Sequence, residues 1–263
     1  MPNWCNNFLT ITGEEVQLNK IKYLLEETKE TNQGMFITLV GLPEGITPEQ
    51  HEKDWWDIHI SHWGCKWDVT YEDHSAMYDR IGYNNEMNYG YKYYVNLFNF
   101  IKYNFVINLK IPFKFSYLAG MTMSIETAWS PPIPFCERLA VMFGVEVQIF
   151  YSEPGVGFAG LCTCLPDGTS QDDELEYMEG IYKYDNSGFW DEVDSNIENQ
   201  LDEVDVDELP AEIAKLYQEI ESGEPSADSL LANILDEYNF VSPEDKKQIE
   251  NLIKEKLQDY GEA

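Results

Sequence analysis

Cations are what this sequence has least of: 17 Lys and Arg stand against 48 Asp and Glu, for a formal net charge of −31. Nucleic-acid binders need a cationic track, so direct binding to DNA or RNA is not expected, nor is adhesion to an anionic membrane. Long apolar runs are missing too, and none approaches the ~20 residues of a membrane span. Cysteine is sparse and odd in number. Cys5, Cys65, Cys136, Cys162 and Cys164 lack the spacing of a secreted disulfide framework, which points to reduced thiols in a cytosol. The opening Met-Pro-Asn-Trp-Cys-Asn-Asn has neither the basic nor the apolar region of a signal peptide. A soluble protein of the host-cell cytoplasm is expected.

What is present is a foldable chain with acid added to it. Hydrophobic residues make up 43% and aromatics 14%, too much for a disordered composition. With 263 residues there is room for one large domain or two modest ones. The acid is concentrated at one end. Leu165 to Ala263 holds 29 of the 48 acids and only 6 of the 17 cations, about −23, which leaves −8 for the rest.

Periodicity places the elements. Asn7 to Thr12 alternates and reads as a first strand, followed by a helix over Glu14 to Glu30. Met35 to Val40 is a short apolar run. Thr47-Pro48-Glu49-Gln50 starts a helix with Pro at its first position, and Trp67 to Tyr71 reads as a strand. Residues 73–115, rich in Tyr, Asn and Phe, form an insertion whose later part, Tyr93 to Tyr117, suits one or two strands. Met121 to Ala128 is extended, and Pro134 to Phe143 is a helix stopped by Gly144. Val145 to Tyr151 and Phe158 to Leu165 make a hairpin around Glu153-Pro154-Gly155. Residues 166–208 read as an acidic linker or extension, with Asp191 to Glu208 as a solvated acid run. Residues 209–263 carry three amphipathic helices, over Leu209 to Ile220, Ser226 to Tyr238 and from Ser242-Pro243 onward, too short to stand alone in water.

Four motifs occur in order: Met1-Pro2-Asn3-Trp4-Cys5, Trp63-Gly64-Cys65-Lys66-Trp67, Thr127-Ala128-Trp129-Ser130-Pro131-Pro132, and Tyr151-Ser152-Glu153-Pro154-Gly155 with Phe158-Ala159-Gly160. Over residues 1–165 the set resembles the YubB-type, ferredoxin-like domain proteins of phages, prophages and plasmids. That resemblance implies an α+β ferredoxin-like body with a split β-α-β arrangement. It implies no activity and transfers no functional residue. Cys65 departs from the family's usual Thr, and the 73–115 stretch is longer than its counterpart.

No catalytic constellation stands out, and no cofactor, metal or catalytic residue is assigned. Gly155 to Gly160 matches GxGxxG, but the Cys162-Thr163-Cys164 that follows is strand-like, and a dinucleotide loop must open a helix. His59-x-x-His62-x-x-Cys65 and Cys162-x-Cys164 have metal-ligand residue types without four ligands close in sequence. Cys136 or Cys164 could meet a histidine only through the fold. The Trp-rich pieces, Trp55-Trp56, Trp63, Trp67 and Trp129, read as core and motif packing. The expectation is therefore a non-enzymatic phage or mobile-element protein. It would bind and inhibit a host protein with a basic surface, a defence or nucleic-acid-handling factor, through a DNA-mimic-like face. The residues assigned to that face are Asp202, Glu203, Asp205, Asp207, Glu208, Glu212, Glu219 and Glu221. The alternatives are an oligomeric assembly protein, with the C-terminal helices packing on a second copy, and a small metal- or nucleotide-dependent enzyme.

Overall fold

The computed structural model describes residues 3–31, 33–70, 118–202, 209–222 and 229–262. The 73–115 insertion, with the strands expected between Tyr93 and Tyr117, lies outside them. Chain contacts divide the protein into two compact units, Met1–Tyr177 and Met178–Ala263. Among the described residues, no helix is long and apolar enough to cross a membrane.

The first unit is built on five strands: β1 (Trp4–Glu14), β2 (Leu118–Ala128), β3 (Glu146–Glu153), β4 (Phe158–Cys164) and β5 (Ser170–Glu176). Their order in the sheet is β2-β1-β3-β4-β5, with every neighbouring pair antiparallel. β2 and β3 flank β1 and are therefore parallel to each other. The helix between them in sequence, α4 (Ile133–Phe143), completes the split β-α-β unit expected from the sequence.

Alternation in β1 fixes which face is buried. Cys5, Asn7, Leu9 and Ile11 point inward, while Trp4, Asn6 and Phe8 are exposed. Leu9 sits opposite Met123 and Ile149, and Ile11 opposite Met121 and Val147. These side chains share a core with three helices. α1 (Glu15–Thr31) contributes Leu18, Ile21 and Leu25; α2 (Met35–Leu39) contributes Met35, Phe36 and Leu39; α4 contributes Phe135, Cys136, Leu139 and Ala140. Each fully buried Leu, Ile or Phe contributes about 1.5–3 kcal/mol relative to exposure. The short apolar run at Met35 to Val40 is thus a helix.

α3 (Pro48–Trp63) begins as the sequence predicts. Thr47 accepts from the Gln50 N–H, the Gln50 side chain caps Thr47 in return, and Pro48 takes the first helical position. The helix is interrupted at Asp54, whose φ of −114° and ψ of 21° leave the helical region. The strand expected at Trp67 to Tyr71 is not formed over its described part. Its β-forming residues find no ladder partner there. Asp68 instead turns its carboxylate onto the Phe36, Ile37 and Val69 N–H groups, and the Val69 carbonyl accepts from Met35.

The stretch 166–208, expected as an acidic linker or extension, is strand and helix over its described part, first at the end of the first unit and then in the second. Ser170–Glu176 is the edge strand β5, recruited by its ladder to β4 despite its acids. The chain continues in α5 (Tyr177–Tyr184) and α6 (Asn186–Asp202). The acid run from Asp191 is helical as far as Asp202 because Phe189, Val193, Ile197 and Leu201, four residues apart, are all buried. α7 (Leu209–Ser222), α8 (Leu230–Glu237) and α9 (Pro243–Glu262) follow. Ser229 caps α8 by accepting from Ala232, and Ser242 caps α9 by accepting from Asp245. Leu216, Leu231, Ile234, Tyr238, Ile249, Ile253 and Leu257 are buried, so this region has a core of its own.

Candidate functional site

Residues 178–263 hold 24 Asp and Glu against 6 Lys and no Arg. The buried stripe of α6 fixes where its acids go. Asp191, Asp194, Glu198 and Asp202 recur at i, i+3, i+7 and i+11, which places them within about 80° of one another around the helix and about 16 Å apart end to end. Asp191, Glu198 and Asp202 are exposed. Lys256 on α9 reaches Asp194 at 2.9 Å and Glu198 at 2.8 Å. Those hydrogen bonds hold its ammonium above its ordinary pKa. Asn196 donates to Glu237 and to the Tyr238 hydroxyl, and Gln200 donates to Asn196 and Glu237, which ties α6 to the end of α8.

The acids assigned from sequence are not assembled as one described cluster. Asp202 closes α6 and is exposed, whereas Glu203, Asp205, Asp207 and Glu208 lie outside the described residues. Glu212 opens α7 and pairs with Lys215 at 3.4 Å. Glu219 is only 7% exposed, between Leu216 and Ile220 in sequence, so its carboxylate is no part of an outward face. Glu221 is in the last turn of α7, and its side chain lies outside the described residues. Sequence reasoning missed Asp191, Asp194 and Glu198, although their spacing is helical and follows the apolar stripe one residue away.

The first unit gathers the four motifs at one end of the sheet. Asn7 donates to the carbonyls of Cys5 and Ile125 and to the Thr127 hydroxyl. Thr127 donates onward to the Ser130 carbonyl, and the Ser130 hydroxyl donates to the Gly64 carbonyl at 2.6 Å. Trp129 donates its N–H to Asn3 from a left-handed backbone, φ 76°, a conformation that costs a non-glycine residue about 1–2 kcal/mol. Trp4, Trp56, Trp67 and Trp129 are between 40% and 46% exposed. Only Trp63 is buried as the core reading required. Lys66 places its ammonium 5.0 Å from the Trp56 ring centre and 4.3 Å from that of Trp67, which meets Trp4 at 6.4 Å.

The candidate ligand sets separate. Cys65 is buried and donates to the Trp67 carbonyl, while the His62 pKa is lowered by burial first and by the Arg138 charge second. His59 instead meets His51, Nε2 to Nε2 at 2.9 Å. Cys162 and Cys164 stand 3.8 Å apart, sulfur to sulfur, inside the core. Burial pushes the Cys5 thiol up to about 12 and the Cys136 thiol well above its ordinary value. No group of three or more His, Cys, Asp or Glu among the described residues could hold a metal ion. The GxGxxG segment joins strand to strand. Glu153 accepts from the Gly155 and Val156 N–H groups, and Gly160 makes room for the Tyr151 ring.

Residues 111–192 match a sequence family described as the ferredoxin-like domain in Api92-like protein. The match runs from β2 through the first part of α6 and covers less than half of the chain. With the sheet described above, it establishes an α+β fold carrying a ferredoxin-like domain. A crystal structure of a protein api92 from Yersinia pseudotuberculosis, assigned to family DUF1281, is 13% identical and covers 67% of this chain and 98% of its own. Its TM-score of 0.27 is too low to bear on the fold. No curated protein matches.

Proposed function

We propose that this is a non-enzymatic binding protein of a phage or other mobile element, which inhibits a basic host protein by presenting an acidic helical face where that protein expects nucleic acid. The observation that supports it is the α6 row. Its carboxylates stand beside an apolar stripe that is packed into a core, so the row is held in place, with Lys256 pairing with Asp194 and Glu198. Neighbours in the row are three or four residues apart, about 4.5–6 Å along the axis. A DNA strand carries one charge per about 3.4 Å of axis, so the row is a sparser version of one strand. The partner is a DNA- or RNA-handling protein whose groove is lined with Lys and Arg.

The test is capture from a host lysate on full-length protein, followed by salt titration and competition with duplex DNA. A basic nucleic-acid-handling protein should be retained at about 50 mM salt, released by about 500 mM and displaced by DNA. Replacing Asp191, Glu198 and Asp202 together with amides should flatten the salt dependence. Retention that ignores salt and DNA would sink the reading.

One observation favours the second reading, an assembly protein. Val16 and Tyr23 on α1 and Val141 and Met142 on α4 are more than half exposed, and Val16, Tyr23, Leu24 and Phe143 line a shallow groove. Sedimentation distinguishes the two readings. A homo-oligomer lost on Tyr23→Lys and indifferent to the α6 amides would favour assembly.

A further inference from the structure

The histidine pair on α3 is a piece of construction that the acidic-face reading does not use. Eight residues of straight helix would separate His51 from His59 by about 12 Å of rise. The helix is kinked between them at Asp54, and the two Nε2 atoms lie 2.9 Å apart. His59 is held on three sides. Its ring stacks on Trp63 at 4.2 Å and 29°, meets the edge of Trp55 at 5.6 Å, and engages the Lys66 carbonyl through Nδ1 at 2.9 Å. A carbonyl can only accept, so the His59 ring proton sits on Nδ1. Its Nε2 lone pair therefore faces His51.

We propose that His51 and His59 form a bis-imidazole site for a divalent transition cation of the zinc, nickel or copper class. The arrangement has the features such a site needs. A ring whose Nδ1–H is spent on a backbone carbonyl has its tautomer and orientation fixed for ligation through Nε2. Burial lowers the His59 pKa, which favours the neutral ring that a cation requires. Zinc–nitrogen bonds of about 2.0–2.1 Å at a tetrahedral angle set the two nitrogens about 3.3 Å apart, so the rings must part by a few tenths of an ångström. His51 is half-buried on the short first segment of α3, where a small ring rotation supplies that movement. Waters complete the coordination, so the ion exchanges readily. Imidazole also selects the class of ion: the many carboxylates of this chain attract Mg2+ and Ca2+, whereas paired imidazoles prefer the borderline-soft metals.

The test is titration of the full chain with Zn2+ by calorimetry in excess Mg2+, with the histidine ring nitrogens followed by NMR. One equivalent of Zn2+ should bind in the micromolar range and shift Nε2 of both His51 and His59, leaving His62 unmoved. His51→Asn should weaken binding at least tenfold without changing the melting temperature, and His51→Cys should restore it. His59→Asn should also abolish binding, but it disturbs the Trp63 stack, so the His51 variants decide. The proposal is overturned if Zn2+ shows no stoichiometric binding below about 1 mM in Mg2+. It also falls if His51→Asn binds as tightly as the parent, or if the rings titrate with protons and ignore the metal.

Discussion

Asp68 shows how a single side chain can substitute for missing local structure. α2 has no capping side chain of its own, since Gly34 stands at its N-cap. The Asp68 carboxylate fills that role from 34 residues away, accepting from Phe36 at 2.6 Å and Ile37 at 2.9 Å, and from Val69 at 2.7 Å. Burial raises its pKa from 3.8 to about 6, against the pull of those three donors. The amide resonances of Phe36, Ile37 and Val69 should therefore titrate together with a midpoint near pH 6. A folded-state pKa above the unfolded one means that the folded state holds the proton more tightly. Asp68 should thus contribute more stability as pH falls from about 6 toward about 4, and that contribution should be lost again as pH rises through 6. A midpoint near 4 would mean that the donors outweigh burial. Gly160 is constrained sterically. A Cβ there would stand 2.5 Å from the Tyr151 hydroxyl and 2.7 Å from the Asp173 carbonyl. Gly160→Ala should cost about 1–3 kcal/mol in urea denaturation, because the Tyr151 ring must leave a filled site.

At the scale of elements, α6 decides whether the acidic end is structure or solvent brush. Ile197 is fully buried on it, while Asp191, six residues earlier, is exposed. Ile197→Ala should destabilise the second unit by about 2–5 kcal/mol. Asp191→Asn should change stability by less than about 0.5 kcal/mol, as surface substitutions do. Equal effects, read from helical signal on denaturation, would mean that the stripe is not a core. The same helix explains what the sequence hid. Strongly alternating segments such as β1 and β3, and helices with punctuation such as Pro48 and Gly144, were legible because pattern and boundary agreed. α6 has an apolar stripe one residue wide among acids, and β5 is an acidic strand held by its neighbour's ladder. In both, tertiary partners overrule local composition. The Trp67 to Tyr71 segment failed in the opposite direction, with strand-like residues and no strand beside them. The His51–His59 contact was invisible because it depends on a helix break that no residue at 54 announces.

At the scale of the whole molecule, a charge of −31 is a standing self-repulsion that salt relieves. Raising ionic strength from about 20 mM to about 500 mM shortens the Debye length several-fold, so the melting temperature should climb across that range. A flat or falling profile would show that fixed pairs such as Lys256 with Asp194 and Glu198 already offset the repulsion. The same salt that loosens the proposed partner should therefore tighten the protein itself, and the two effects can be separated by measuring melting and binding in one buffer series.

The border of the sheet carries a last implication. Asp172, Asp173, Glu174 and Glu176 lie along β5, the outermost strand on that side among the described residues. A rim of like charges discourages a neighbouring molecule from adding its own strand there. That safeguard reaches only as far as its charge is unscreened: in concentrated salt the rim loses its range, and molecules become freer to pair edge to edge and cloud the solution.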